Sequence, residues 1–117
     1  HETAKIINEN HQLEIKIDSR IQEINFGKFE GIVNNEEFQY YKQNHGLHYP
    51  GGESLFQVVY RVYSFLEELE NKYPDKNILV VCHGGIVRVI HSYFQDMTNE
   101  ELMTWLPENC CIQSYEK

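Results

Sequence analysis

No stretch of this chain approaches the roughly 18 uninterrupted apolar residues of a membrane-spanning helix, and its opening shows no charged, then apolar, then small-residue secretory signal. The reading that follows is a soluble, cytoplasmic protein without a membrane partner. Cysteine is scarce: Cys82, Cys110 and Cys111 are the three present. Two are adjacent, no pair has zinc-ribbon or zinc-finger spacing, and the odd count fits reduced thiols rather than a disulfide framework. Basic residues are also few, 10 Lys and Arg against 18 Asp and Glu, for a formal charge of -8. A nucleic-acid surface rests on clustered Lys and Arg, so no nucleic-acid partner is expected. A small phosphorylated metabolite stays compatible, because backbone dipoles and a few cations decide that binding rather than net charge. Internal repeats, low-complexity tracts and the G-x-G-x-x-G dinucleotide fingerprint are absent too.

What is present suffices for one domain over residues 1–117: 41% of the 117 residues are hydrophobic and 13% aromatic, enough for a buried core. HETAKIINEN predicts a short helix over residues 1–10 that Asn8 and Asn10 stop. In LEIKI, Leu13, Ile15 and Ile17 alternate with charged residues, the period of a half-buried strand. EINFGKFEG, Glu23 to Gly31, has two glycines and no sustained period and reads as an ordered loop, followed by a polar-aromatic helix over about 34–44. The turn YPGGES, Tyr49 to Ser54, feeds a capping-box pattern in which Ser54 precedes Gln57 by three residues. Leu55, Val58, Val59, Val62, Phe65, Leu66 and Leu69 then recur at helical intervals, with Gln57, Arg61, Ser64, Glu67 and Glu68 mostly on the other side. After Pro74 and Asp75, the apolar run Ile78 to Cys82 suits a strand buried on both faces of a parallel sheet. Ile86, Val87, Ile90, Tyr93, Phe94 and Met97 mark a further amphipathic helix, Thr98 opens a short one, and Cys111 to Tyr115 is the last candidate strand. Helix, strand and helix in this succession predict an α/β layered fold.

Two places carry chemistry. His83 sits where the buried strand hands over to a helix, followed by Gly84 and Gly85, at the sheet edge where α/β proteins bind ligands. The helix amides and dipole there favour an anion. Read alone, the histidine either fills a tight turn or donates to a phosphoryl oxygen. Glu23 is either a solvated loop carboxylate or a general acid whose proton affinity rises through packing against Ile24, Phe26 and Phe29. Glu30 is the competing carboxylate, with a structural role the simpler reading. Glu53 and Ser54 read as turn and cap residues, and Arg61 and Arg88 as helical ion-pair formers. A metal cluster of Cys82, His83 and Cys110 or Cys111 has no supporting spacing. A cysteine ending an apolar strand, such as Cys82, packs as a small hydrophobe more readily than it attacks a substrate.

Taken in order, ETAKII (Glu2 to Ile7), EINFGKFEG, PGGES (Pro50 to Ser54) with its helix, and VVCHGGIVRVI (Val80 to Ile90) resemble the histidine phosphatase superfamily, specifically its phosphoglycerate mutase branch. The likeness spans nearly the whole chain. It implies a three-layer α/β/α fold with a mostly parallel sheet. It also implies a phosphatase or phosphoglycerate mutase-like enzyme working through a phosphohistidine on small phosphorylated metabolites. By resemblance, Glu23 matches the proton donor, His83 the second active-site histidine, and Gly84 the position whose amide holds the phosphoryl group. No metal or cofactor is implied. The family's nucleophile belongs to an Arg-His-Gly motif that this sequence does not contain. The expectation is an N-terminally incomplete, C-terminal portion of a larger enzyme, inactive by itself, which self-associates or retains its N-terminal segment. The alternative is a non-catalytic anion-binding or interaction module. The short insert from Asn34 to Tyr49, without a diagnostic cluster, favours a phosphatase for small esters over a glycolytic mutase.

Overall fold

The computed structural model of the protein describes residues 2–31, 35–108 and 112–116. Five α-helices succeed one another: α1 (Glu2–Asn8), α2 (Glu36–Gln43), α3 (Leu55–Lys72), α4 (Gly84–Phe94) and α5 (Asn99–Thr104). Each expected helix forms, and most stop and start where the sequence offers a hydrogen-bonding side chain. Asn8 closes α1 by accepting from the Leu13 amide at 2.8 Å and donating to the Leu13 carbonyl at 2.6 Å. Asn35 caps α2 through the amides of Glu37 and Phe38. Ser54 and Gln57 form the reciprocal capping box on α3, and Thr98 and Glu101 do the same on α5. Such a cap satisfies amides that a helix terminus leaves without partners. No helix among the described residues is long and apolar enough to cross a membrane.

The core lies between α3 and α4. Val58, Val62, Phe65 and Leu66 of α3 close on Ile86, Val89 and Ile90 of α4, with Val62 and Ile86 fully buried. The four-residue step from 58 to 62 to 66 keeps these side chains on one stripe, and full burial of each contributes about 1.5–3 kcal/mol. Ile24, Val80, Cys82 and Tyr115 pack at the margin of this cluster. A 3-10 turn at Ser19–Ile21, capped by Asp18, lies against α3. Arg20 ties it there by ion pairs to Asp18 and Glu68.

The expected sheet is not formed among the described residues. Residues 13–17 and 78–82 run free of helix, turn and bend, but no backbone-to-backbone hydrogen bond reaches them among the described residues. A strand is defined by its ladder, and an apolar, β-branched run without a neighbouring edge has nothing to pair with. Their side chains show the consequence: Ile17 is 75% exposed and Leu79 62%. Residues 112–115 are likewise not a strand, and Cys111 lies outside the described residues.

Candidate functional site

The loop that carries Glu23 is held from three sides. Its backbone meets the turn preceding α3: the Lys28 amide donates to the Pro50 carbonyl at 2.9 Å, and the Glu53 amide to the Asn25 carbonyl at 2.9 Å. Gly27 has a φ of +57° and would drive a β-carbon into the Pro50 carbonyl, so this approach requires glycine. Within the loop, the Glu30 carboxylate accepts from the Phe26 amide at 2.8 Å, the structural role expected of it. From α3, Arg61 donates to both oxygens of Glu53 at 3.0 and 2.9 Å, to the Arg20 carbonyl at 2.6 Å and to the Glu23 carbonyl at 3.4 Å. Glu53 returns a contact to the loop by accepting from the Asn25 amide at 2.9 Å. Burial alone would raise the Glu53 carboxyl, but the Arg61 guanidinium and the Asn25 amide together hold it below its ordinary value. Arg61 thus forms the expected ion pair, and Glu53 is a latch between loop and helix.

At the start of α4 the Glu23 carboxylate abuts Gly85, two residues after His83. His83 occupies the N-cap position with φ -75° and ψ 158°, and its side chain makes no capping hydrogen bond. The imidazole is exposed, as is Gly84. Glu23 is half-buried, and its Oε1 accepts from the Ile24 amide at 3.0 Å. The carboxylate lies against Gly85 so closely that a β-carbon there would stand 2.8 Å from Oε1. The first amides of a helix have no intrahelical acceptors, and the dipole is positive at that end. A carboxyl set beside the first amides of a helix that has a histidine at its N-cap is an arrangement able to hold a tetrahedral anion and move a proton.

Cys82 packs at the margin of the core, and burial first, then the nearby Glu23 charge, push its thiol up to about 11. A thiol that stays protonated at neutral pH is a poor nucleophile, in keeping with the packing role. Among the described residues no group of three or more His, Cys, Asp or Glu side chains could hold a metal. Cys110 lies outside the described residues.

A cavity of about 250 Å³ opens beside Glu23 and Gly85. Its wall includes residues that sequence reasoning missed. Arg88, expected to hold an ion pair, has none among the described residues and is instead part of this wall, half-buried and donating from Nε to the Trp105 carbonyl at 2.7 Å; burial lowers its guanidinium and the Glu23 charge opposes that shift. Phe38, Tyr41, Lys42 and His45 are there as well, a grouping that the reading of the 34–49 segment did not single out. Their spacing of i, i+3, i+4 and i+7 was the available signal. Asn34 itself lies outside the described residues.

The histidine phosphatase superfamily (branch 1) matches residues 1–116. The chain is 30% identical over 116 residues to the uncharacterized phosphatase PhoE of Bacillus subtilis, covering 97% of this chain and 57% of that protein. It is 32% identical over 97 residues to phosphoserine phosphatase 1 of Hydrogenobacter thermophilus, covering 76% and 46%. Among solved structures, mycobacterial glucosyl-3-phosphoglycerate phosphatase superposes with a TM-score of 0.69 at 18% identity over 87% of this chain and 55% of that one. The alpha-ribazole phosphatase of Shigella flexneri gives 0.66 at 22% identity, covering 86% and 54%. These likenesses place the backbone in the fold of those phosphatases, and the chain spans about half the length of the relatives it matches.

Proposed function

The chain belongs to the histidine phosphatase superfamily, and from that membership we propose that Glu23, His83 and Gly84 are one half of a site that hydrolyses small phosphomonoesters. The observation that carries this reading is the contact between Glu23 and Gly85, which sets a carboxyl beside the N-terminus of α4 immediately after His83. His83 donates to a phosphoryl oxygen, and the amide of Gly84 holds another. Glu23 gives its proton to the leaving alkoxide as the phosphorus–oxygen ester bond breaks and a phosphorus–nitrogen bond forms on an attacking histidine. In the second step water attacks phosphorus, the phosphorus–nitrogen bond breaks, and Glu23 takes the proton of that water. The attacking histidine is contributed from outside these 117 residues, which contain no Arg-His-Gly motif. Phosphatase names recur among the relatives, which supports hydrolysis over isomerisation.

The test is Glu23→Gln in the full-length gene product. The expected loss in kcat is about 10²-fold or more for an alkyl phosphate, on the usual scale of general acid catalysis, and distinctly smaller for nitrophenyl phosphate, whose leaving group needs no proton. An equal loss for both substrates refutes the assignment.

A further inference from the structure

The geometry of α2 points to the alcohol that leaves from this site: a planar aryl group that carries its own carboxylate. This inference rests on the phosphatase reading above. Phe38, Tyr41, Lys42 and His45 share one side of α2 and its exit, and all four line the cavity that also touches Glu23 and Gly85. The aromatic wall continues beyond α2. Phe38 stacks on Tyr49 with centroids 5.4 Å apart and planes inclined at 23°, while Phe26 meets Phe38 edge-on at 5.4 Å and Tyr49 at 5.1 Å. Tyr49 is buried, so this wall is fixed by packing rather than free to rotate away.

The cavity holds about 250 Å³, against about 30 Å³ for one water in the liquid. That is far more than a phosphoryl group needs and is room for a ring attached to it. Flat aromatic walls favour a planar partner, which gains stacking and edge contacts that a flexible polyol does not. Charge then narrows the class. Lys42 is half-buried in this wall and has no hydrogen bond or ion pair from its side chain among the described residues. Lys28, on the neighbouring loop, is by contrast paired with Glu37 at 2.7 Å. An unpaired ammonium on the wall of a cavity is open to an anion that enters with the ligand. Glu23 and Gly85 mark the phosphoryl end, so this second anion belongs to the leaving group.

The experiment titrates the isotopically labelled full-length gene product with three non-hydrolysable probes: inorganic phosphate, phenylphosphonate and para-carboxyphenylphosphonate, followed by amide resonances. All three are expected to shift Gly84 and Gly85. Phenylphosphonate binds about fivefold more tightly than phosphate, the scale of an aromatic contact, and the carboxylate adds about threefold more, the scale of a partly exposed ion pair. Lys42→Gln abolishes the carboxylate increment and keeps the phenyl increment; Phe38→Leu lowers the phenyl increment. Resonances away from α2 that superimpose on those of the parent show that each variant is folded. If phosphate shifts Gly84 but ring and carboxylate add nothing, or if the carboxylate increment survives Lys42→Gln, the inference is wrong and the phosphatase reading stands. If no probe shifts Gly84 or Gly85, the phosphatase reading fails and this inference falls with it.

Discussion

Arg61→Ala removes a side chain through which α3 holds the acid loop, directly at the Glu23 carbonyl and indirectly through Glu53, which accepts from the Asn25 amide. The Arg61 side chain is 17% exposed and that of its partner Glu53 23%, so the pair lies between two regimes. Exposed pairs contribute about 0–1 kcal/mol, whereas removing one member of a buried pair costs about 3–5 kcal/mol because the other charge is stranded. The alanine also abandons the Arg20 carbonyl, reached at 2.6 Å, which adds about 1 kcal/mol for a lost hydrogen bond. Together these predict a destabilisation of about 2–4 kcal/mol, or a fall in Tm of about 10 °C for a domain of this size. The assay is thermal unfolding of parent and variant by circular dichroism. Its pH dependence supplies a second arm. Glu53 titrates below its ordinary value of 4.5 in the folded chain, so its contribution to stability is fully present above that value and is lost as pH falls through the depressed folded value. The gap between parent and variant should therefore be constant near neutrality and shrink below about pH 4.5. A loss under about 1 kcal/mol at neutral pH, within the range of ordinary surface substitutions, refutes the latch.

Two further outcomes follow from the geometry. Gly85→Ala places a β-carbon 2.8 Å from Glu23 Oε1; because that oxygen ends a flexible side chain, stability should change by less than about 1 kcal/mol. Turnover of alkyl phosphates by the full-length gene product should nevertheless fall at least about tenfold as the acid is displaced; unchanged turnover contradicts the assignment. The purified 117-residue chain should self-associate, because Leu13 at 69%, Ile17 at 75%, Ile78 at 44% and Leu79 at 62% exposure lie on segments whose backbone has no ladder among the described residues, an arrangement that invites pairing. Static light scattering that gives the mass of a single chain at high concentration would end this idea.

Helices were legible because their signals are local. The capping box at Ser54, the Asn8 stop and the apolar stripe of α3 each involve residues within a few positions of one another, and each formed as read; the short helix after Thr98 formed too, with a capping box that the sequence reading did not name. The segments 13–17 and 78–82 were not, since a strand's identity depends on a neighbour elsewhere in space, and pattern alone cannot supply one. The site divides in the same way. Glu23, His83 and Gly84 stood out through their motifs, but the close approach of the Glu23 carboxylate to Gly85, 62 positions later by number, has no local signal. The wall at Phe38, Tyr41, Lys42 and His45 was visible as helical spacing, yet an apolar-aromatic helix face ordinarily signals core. Only the structure shows that this face lines a cavity next to Glu23.

What fixes the distance between acid and histidine is α3, which carries neither. The acid loop reaches it through the turn just before its N-cap, by the Asn25–Glu53 and Lys28–Pro50 backbone contacts, and through Arg61 two turns later. His83 reaches it through α4, whose Ile86 and Val89 interlock with Val58 and Val62 in the fully buried centre of the core. Cores pack at crystal-like density and resist sliding, while a bidentate ion pair fixes orientation as well as distance. The N-terminal half of α3 therefore acts as a common ruler, and a change there should move Glu23 relative to His83 without touching either residue. This explains why an arginine that contacts the acid only through its backbone carbonyl is a positioning residue for the proposed chemistry: it sets where the carboxyl is presented, and the apolar packing beneath it sets where the phosphoryl group must be.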